Sequence, residues 1–298
     1  MTDRLEGKVA LVTGSGRGFG RAIAIAFASE GANIVSVARS KDELLDAERN
    51  MVDVGGEVLT VIADLSNDLG IRKLFNETID RYEGIDILVN NAATSPWLTI
   101  EELTIENWDL TMAVNLRAPF ALSKLFYPSM EKRGGGSILN ISSRSAEIGF
   151  VAELAYCPSK FGLEGLTQCL ALELRPCNIA VNSLNVSSPP GKRLKPTEMS
   201  LDQADQMPDK IKVNYAKEKE LVDQFKDAWV FLAEQDSSGI TGMRLATNEL
   251  SNVLKAGGAK AAYNKWRGKR VEAVYNPVEW PEKEKYQTKE GGWKELVF

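Results

Sequence analysis

The chain has 298 residues, a formal net charge of −5 at pH 7 and no histidine. Its length fits one large α/β domain or two small ones, and its 44% hydrophobic and 26% charged residues are typical of a soluble globular protein. The negative charge argues against a nucleic-acid partner. Without histidine, Ser-His-Asp catalysis, Cys-His catalysis and histidine-ligated metal are all excluded, and we expect no metal site.

The cysteines and the first residues bear on the cellular compartment. Cys157, Cys169 and Cys177 are an odd number and form no Cys-x-x-Cys motif, which favours a reduced, cytoplasmic protein. The first 14 residues are charged and continue into a strand-like segment, which is not the pattern of a signal peptide. No apolar run approaches the roughly 18 residues of a membrane span, so we expect no membrane partner.

Short β-branched segments alternate with longer helical patterns along most of the chain. The predicted strands are residues 8–12, 33–37, 57–62, 86–89, 137–141, 180–184 and 240–245. The predicted helices are residues 18–29, 41–53, 67–82, 108–132, 154–174 and 218–233. This alternation predicts an α/β fold, a Rossmann-type doubly wound parallel sheet of about seven strands, in a single domain with a C-terminal extension.

The pattern loosens after the sixth predicted strand. Within the main domain, residues 1–247, the segment of about residues 185–215 is rich in turn residues and cations and is predicted to form a lid. The extension, residues 248–298, carries tryptophans among many charges and shows no strand–helix alternation. Two interpretations stay open: a tail that lies on its own domain, or an arm that covers a substrate pocket or a subunit interface.

A glycine-rich loop joins the first predicted strand to the first helix. Residues 13–20 read TGSGRGFG, and Gly14, Gly18 and Gly20 allow a tight turn. Arg17 and Phe19 lie between these glycines at the helix N-terminus, where unpaired N–H groups favour anions. A strand, a glycine loop and a helix in this order predict a site for the pyrophosphate of a dinucleotide.

The end of the second predicted strand indicates which dinucleotide binds. A carboxylate at this point would bind the ribose 2′-OH of NAD, but the chain has Ala38 and Arg39 there. Arg17 adds a second cation, and guanidinium groups suit a phosphate monoester. These residues favour NADP(H) over NAD(H); the alternative is that both arginines are solvated surface residues.

A Tyr–Lys pair supplies acid–base chemistry to a chain without histidine. Lys160 lies one helical turn after Tyr156, so its charge favours the phenolate and lowers the pKa of a phenol, which is normally about 10. Ser143 lies thirteen residues before Tyr156. The adjacent Ser142 competes for the same role, but neighbours in an extended segment point to opposite sides and the spacing favours Ser143.

Together these motifs resemble the short-chain dehydrogenase/reductase family over about four-fifths of the chain, from residue 7 to residue 245. The glycine loop fits the TGxxxGxG pattern of the family, and residues 156–160 fit YxxxK. Residues 90–93 read NNAA, where the family has NNAG. Asp64 stands where the acid of the family contacts adenine, and Asn115 matches the Asn of its catalytic tetrad.

The resemblance implies an NADP(H)-dependent oxidoreductase that interconverts a carbonyl and a secondary alcohol by hydride transfer. Tyr156 would exchange the proton, Lys160 would bind the nicotinamide ribose, and Ser143 would hold the substrate oxygen. Asn115 would support a water that connects Lys160 to solvent, and Asn91 would contact the cofactor. The resemblance also implies a homodimer or homotetramer built on the helices predicted at residues 108–132 and 154–174.

Substrate-facing residues are where the chain leaves the family pattern. The Pro-Gly pair expected after the sixth strand is displaced to residues 190–191. Trp97 could form an apolar wall for a substrate or cover a helix end. Arg144, with the cations of residues 192–195, could bind an anionic substrate or belong to a solvated loop. Two other functions stay open, a non-catalytic NADP-binding sensor or scaffold and a lyase or epimerase on the same fold.

Overall fold

The computed structural model describes residues 3–186, 218–271 and 282–297. All but the first two residues of the predicted lid, 185–215, lie outside this part of the chain, as do the cations of residues 192–195 and the displaced Pro-Gly pair.

A seven-stranded parallel sheet forms the centre of the protein, which confirms the predicted fold class. Its strand order is β3-β2-β1-β4-β5-β6-β7, so the order reverses between β1 and β4. In such sheets ligands bind at the carboxyl ends of the strands, beside this reversal. The strands are β1 (Val9–Thr13), β2 (Asn33–Ala38), β3 (Val58–Ile62), β4 (Ile87–Asn90), β5 (Gly136–Ser142), β6 (Ile179–Asn185) and β7 (Arg244–Ala246).

Helices cover both faces of the sheet. They are α1 (Gly18–Ala28), α2 (Lys41–Asp53), α3 (Asp68–Tyr82), α4 (Ile105–Met112), α5 (Ala118–Lys132), α6 (Tyr156–Glu173), α7 (Glu218–Ala233) and α8 (Thr247–Trp266). Successive strand residues face opposite sides of the sheet, so Ala10 and Val12 of β1 pack into one apolar core. Val9 and Leu11 pack into the other core, on the opposite face. Burial on both faces explains why the strands read as continuous apolar runs.

Two helical segments differ from the sequence prediction. The helix expected over residues 108–132 is interrupted by a π-helical turn, Ala113–Arg117, between α4 and α5. The helix α8 was not predicted, and it carries Leu250, Ala262 and Trp266 into the core on the α1 side of the sheet. Its periodic pattern is weak because it is broken by non-helical backbone at residues 257–258.

The last described residues form a hairpin of two antiparallel strands, β8 (Lys283–Gln287) and β9 (Trp293–Val297). Between the strands, Lys289 forms an ion pair with Glu102 at 3.6 Å, which brings the hairpin close to the segment after β4. Among the described residues, no helix is both long and apolar enough to cross a membrane.

Candidate active site

The glycine loop has the tight geometry that its sequence predicts. Gly14 and Gly18 have φ of +66° and +59°, the left-handed region that side chains other than glycine disfavour. A Cβ on Gly20 would collide with the carbonyl oxygen of Gly14 and with the amide nitrogen of Asn91. The loop therefore leaves the N-terminus of α1 open beside a close turn of backbone, which is the form of an anion cradle.

Asn91 ties the fourth strand to the glycine loop. Its Nδ2 donates to the main-chain oxygens of Thr13 and Gly14, at 2.9 and 3.2 Å. The Thr13 hydroxyl accepts from the amides of Asn91 and Ala92, both at 2.9 Å, and donates to the oxygen of Val89. The Asn91 side chain therefore holds the glycine loop in place, and Asn91 also lines the adjacent cavity.

A cavity of about 560 Å³ lies against this loop, at the carboxyl ends of β1 to β4. Its wall includes Gly14, Gly16, Val37, Asp64, Ala92 and Val114. The carboxylate of Asp64 accepts from the amide of Ser66 at 2.9 Å and so holds the turn after β3. Glycine backbone, a helix N-terminus and an acid after β3 in one cavity fit a dinucleotide cofactor.

The end of the cavity near β2 carries both predicted arginines. Arg39 is exposed there and forms no ion pair with any residue that the structure describes. Arg17 instead pairs with Glu43 of α2, at 2.9 Å, so part of its charge is neutralised. The sequence prediction missed Glu43, although it stands only four positions after Arg39. Phe19 packs its ring against the apolar core, which leaves only its backbone for a cofactor.

Tyr156 and Lys160 occupy the first turns of α6. Lys160 is 3% exposed; its ammonium donates to the main-chain oxygen of Ile141 at 2.8 Å and lies 5.5 Å from the centroid of the Tyr156 ring. Burial lowers the pKa of Lys160 to about 8, and the nearby carboxylate of Glu164 opposes this shift. The Tyr156 phenol therefore lies close to an ammonium group whose pKa is already lowered by burial.

The two serines at the end of β5 turn to different sides, as the extended backbone requires. Ser142 donates its hydroxyl to Glu164. Ser143 follows the strand directly; its hydroxyl accepts from the amide of Ser145 and donates to the Ser145 hydroxyl, both at 3.2 Å. Ser142 is thus engaged by a carboxylate, which leaves Ser143 as the candidate for the substrate oxygen.

Asn115 lies in the π-helical turn between α4 and α5. Its amide exchanges two hydrogen bonds with the backbone of Thr94, at 2.8 and 2.9 Å, and donates to the hydroxyl of Ser159 at 3.0 Å. The side chain thus joins the loop after β4 to α6, beside Lys160. Single π turns recur at functional sites. Both N–H groups of this amide are engaged, and we expect the water of the proton path at the main-chain carbonyl of Asn115.

The two candidate substrate residues have distinct settings. Trp97 has φ of +44°, a strained value for a bulky residue, and does not line the 560 Å³ cavity. Arg144 is exposed, directly after Ser143. Near Trp97, the hydroxyl of Ser95 is buried and has no hydrogen-bond partner among the described residues, so a water or a ligand is needed to satisfy it.

The fold and this site define an NAD(P)-dependent dehydrogenase or reductase. The family described as short chain dehydrogenase matches residues 8–194 of the chain. Dehydrogenase/reductase SDR family member 4 of Homo sapiens is 34% identical over 241 residues, which cover 80% of this chain and 86% of that protein. The chain therefore belongs to the short-chain dehydrogenase/reductase family, and this favours an enzyme over the sensor or scaffold alternative.

Two solved structures resemble the chain over most of their length. A metagenomic short-chain oxidoreductase in complex with NADP is 36% identical, has a TM-score of 0.60, and covers 62% of this chain and 84% of its own. The L-sorbose reductase of Gluconobacter frateurii, complexed with NADPH and L-sorbose, is 30% identical with a TM-score of 0.65. That likeness covers 88% of this chain and 94% of the reductase.

Proposed function

We propose that this protein interconverts a small carbonyl compound and its secondary alcohol, with Tyr156 as the acid–base and NADP(H) as the cofactor. The observation that carries the proposal is the buried ammonium of Lys160 beside the Tyr156 ring. Asn115 joins their helix to Thr94 in the wall of the cavity suited to a dinucleotide. When bound, the nicotinamide supplies or accepts the hydride. The glycine loop, Asp64 and the backbone of residues 91–94 would hold the cofactor.

Each residue of the candidate site has a role that its contacts allow. Tyr156 gives its proton to the carbonyl oxygen in reduction and takes one from the alcohol in oxidation. The charge of Lys160 favours the phenolate, and its ammonium can also reach a ribose hydroxyl. Ser143 donates to the substrate oxygen. A water at the backbone of Asn115 would return protons to Lys160.

The cofactor preference depends on Arg39 more than on Arg17. Arg39 has no carboxylate partner among the described residues, whereas Arg17 forms an ion pair with Glu43. We propose that Arg39 binds the 2′-phosphate of NADP(H). The two related structures described above were solved with NADP and with NADPH, which supports the same preference.

Replacement of Arg39 by Met should therefore change the cofactor preference. A hydrogen bond to a charged group contributes about 1.5–3 kcal/mol, so we expect kcat/KM for NADPH to fall about 10-fold to 100-fold. The value for NADH should change little, because NADH has no 2′-phosphate. Steady-state kinetics with both cofactors measures the ratio.

The matched control is Arg49→Met. Arg49 is an exposed arginine of α2 that pairs with Asp46 at 3.7 Å and does not line the cavity. We expect this variant to keep the wild-type preference for NADPH. A wild-type protein that prefers NADH, or an Arg39 variant with an unchanged ratio, would contradict the assignment.

The reaction itself is tested with a panel of aldehydes, ketones, sugars and hydroxy acids, followed by NADPH absorbance. L-sorbose is a reasonable first probe because a structural relative was solved with it. We propose Trp97 and Arg144 as substrate contacts. Turnover of at least one carbonyl is expected, and no NADPH oxidation with any of them would count against the proposal.

We also propose a homodimer or homotetramer in the cytoplasm. Several large apolar side chains of α4, α5 and α6 are exposed, among them Phe120 at 46% and Leu172 at 57%. Large exposed apolar side chains on these helices are what a subunit interface would bury. We propose that the C-terminal hairpin takes no part in the subunit interface. It covers the substrate side of its own chain, through contacts such as the ion pair of Lys289 with Glu102. Sedimentation should give two or four times the chain mass of 32.8 kDa, and truncation after residue 271 should leave the number of subunits unchanged.

A further inference from the structure

Three consecutive residues at the end of β5 are each held by a charged side chain. The carbonyl oxygen of Ile141 accepts from Lys160 at 2.8 Å, and the hydroxyl of Ser142 donates to Glu164. The carbonyl oxygen of Ser143 accepts from a guanidinium nitrogen of Arg244 at 2.9 Å. The position of the candidate serine therefore depends on a residue that lies 101 positions further along the chain.

Arg244 is a cation in the last strand of the sheet, and all three of its nitrogens are engaged. Its Nε donates to Glu164 at 3.1 Å, Nη1 pairs with Glu147, and Nη2 holds the carbonyl of Ser143. The second oxygen of Glu164 accepts from Ser183 of β6 at 2.6 Å. The guanidinium is thus anchored from α6 and β6 and extends to the segment after β5.

The side chain of Ser143 is less firmly held than its backbone. Its hydroxyl contacts Ser145 at the long distance of 3.2 Å, both to the amide and to the hydroxyl. A planar guanidinium with fixed donors is well suited to hold several acceptors in one arrangement, and a flexible ammonium is not. The direction in which Ser143 presents its hydroxyl therefore follows from the placement of its carbonyl.

We propose that Arg244, anchored by Glu164, is a positioning residue that orients Ser143 toward the substrate oxygen. This role rests on the proposed reaction. Arg244 does not line the 560 Å³ cavity, so we expect it to act only through the serine. Its loss should lower the rate of the chemical step and leave cofactor binding unchanged, because the glycine loop lies on other strands.

The test compares Arg244→Met and Arg244→Lys with the control Arg133→Met. Arg133 also holds a buried carboxylate, donating to Asp86 at 2.7 Å, but at the amino end of the sheet. With NADPH and the panel carbonyl of highest turnover, we expect kcat to fall about 10-fold to 100-fold in both Arg244 variants, since a small misplacement of a reacting group has effects of this size. The control should stay within about twofold, and the NADPH dissociation constant should be unchanged in all variants.

Equal kcat values in the Arg244 and Arg133 variants would overturn the inference while leaving the proposed reaction intact. If the wild type reduces no carbonyl, the proposed reaction is wrong. Amide hydrogen exchange then tests the positioning role of Arg244 without any measurement of activity. Faster exchange of residues 143–147 in both Arg244 variants than in the control supports the positioning role. Exchange equal to the control contradicts it, and the lysine variant keeps the comparison possible if the methionine variant does not fold.

Discussion

Replacement of Tyr156 by Phe should abolish turnover and leave the rest of the protein intact. The phenol is the proposed proton donor, and general acid–base catalysis contributes about 10²-fold to 10⁴-fold, so we expect kcat to fall by at least that factor. Tyr156 is partly exposed at the start of α6, and removal of its hydroxyl leaves no cavity. Cofactor affinity should change less than about twofold, since the ring remains. Kinetics and NADPH titration measure both quantities.

A suitable control is Tyr127→Phe. Tyr127 lies in α5, packs against the apolar core on that face of the sheet and is outside the candidate site. It loses the same hydroxyl, so any general effect of the substitution appears in both variants. Turnover that survives in Tyr156→Phe would mean that another group transfers the proton, and the proposed mechanism would then be wrong.

Replacement of Lys160 by Met should have two opposite effects, a loss of activity and a gain of stability. The residue is 3% exposed, and burial lowers its pKa from 10.5 to about 8, so holding it charged destabilises the folded state. One pKa unit corresponds to about 1.4 kcal/mol, so methionine should raise the free energy of unfolding at pH 7 by about 1–3 kcal/mol. The lost bond to Ile141 keeps the gain below the full value of the shift. Turnover should fall with the loss of the charge beside Tyr156.

The gain should depend on pH in a defined direction. Between pH 8 and about 10.5, unfolded Lys160 holds its proton while the folded residue releases it, so wild-type stability rises with pH through this window. Below pH 8 the penalty is complete and constant. The advantage of the Met variant over the wild type should therefore be largest at pH 7 and be gone above about pH 10.5, where the lost bond to Ile141 leaves the variant slightly less stable than the wild type. Urea unfolding at several pH values measures it, and a variant less stable than wild type at pH 7 would contradict the burial argument.

The sheet and much of the site follow from short-range features of the sequence. A parallel strand buried on both faces has a β-branched, apolar sequence, which is why the first six strands can be recognised from local composition alone. The seventh, predicted at residues 240–245, is the shorter Arg244–Ala246. Tyr156 and Lys160 are one turn apart on one helix, so their meeting needs no knowledge of the fold. Ser143 lies near this pair because β5 and α6 are joined by a short segment of chain.

The remaining features depend on contacts between distant residues. Glu43 pairs with Arg17 across 26 positions, and Arg244 pairs with Glu164 across 80 positions. Weak signals exist for the second pair: Glu164 continues the spacing of four from Tyr156 and Lys160, and Arg244 is a cation within an apolar strand. The spacing of residues in the sequence does not show which carboxylate an arginine pairs with, because the pairing depends on how the helices and strands pack.

The π-helical turn and α8 were missed for the same physical reason. The apolar period runs through residues 108–132 without a break, and the turn at Ala113–Arg117 accompanies the bonds that Asn115 makes to Thr94 and Ser159. In α8, the backbone break at residues 257–258 hides the amphipathic pattern. Tertiary contacts determine both segments, and local propensity is a weak guide in such cases.

Transfer of deuterium from NADPH labelled at C4 of the nicotinamide tests the central claim most directly. Each C4 diastereomer is incubated with the wild-type protein and the panel carbonyl of highest turnover, and the alcohol is examined by mass spectrometry. We predict that one diastereomer places a single deuterium on the carbinol carbon, and that Tyr156→Phe forms almost no product. Alcohol without deuterium from either diastereomer, or equal product from the Tyr156 variant, would contradict hydride transfer assisted by Tyr156.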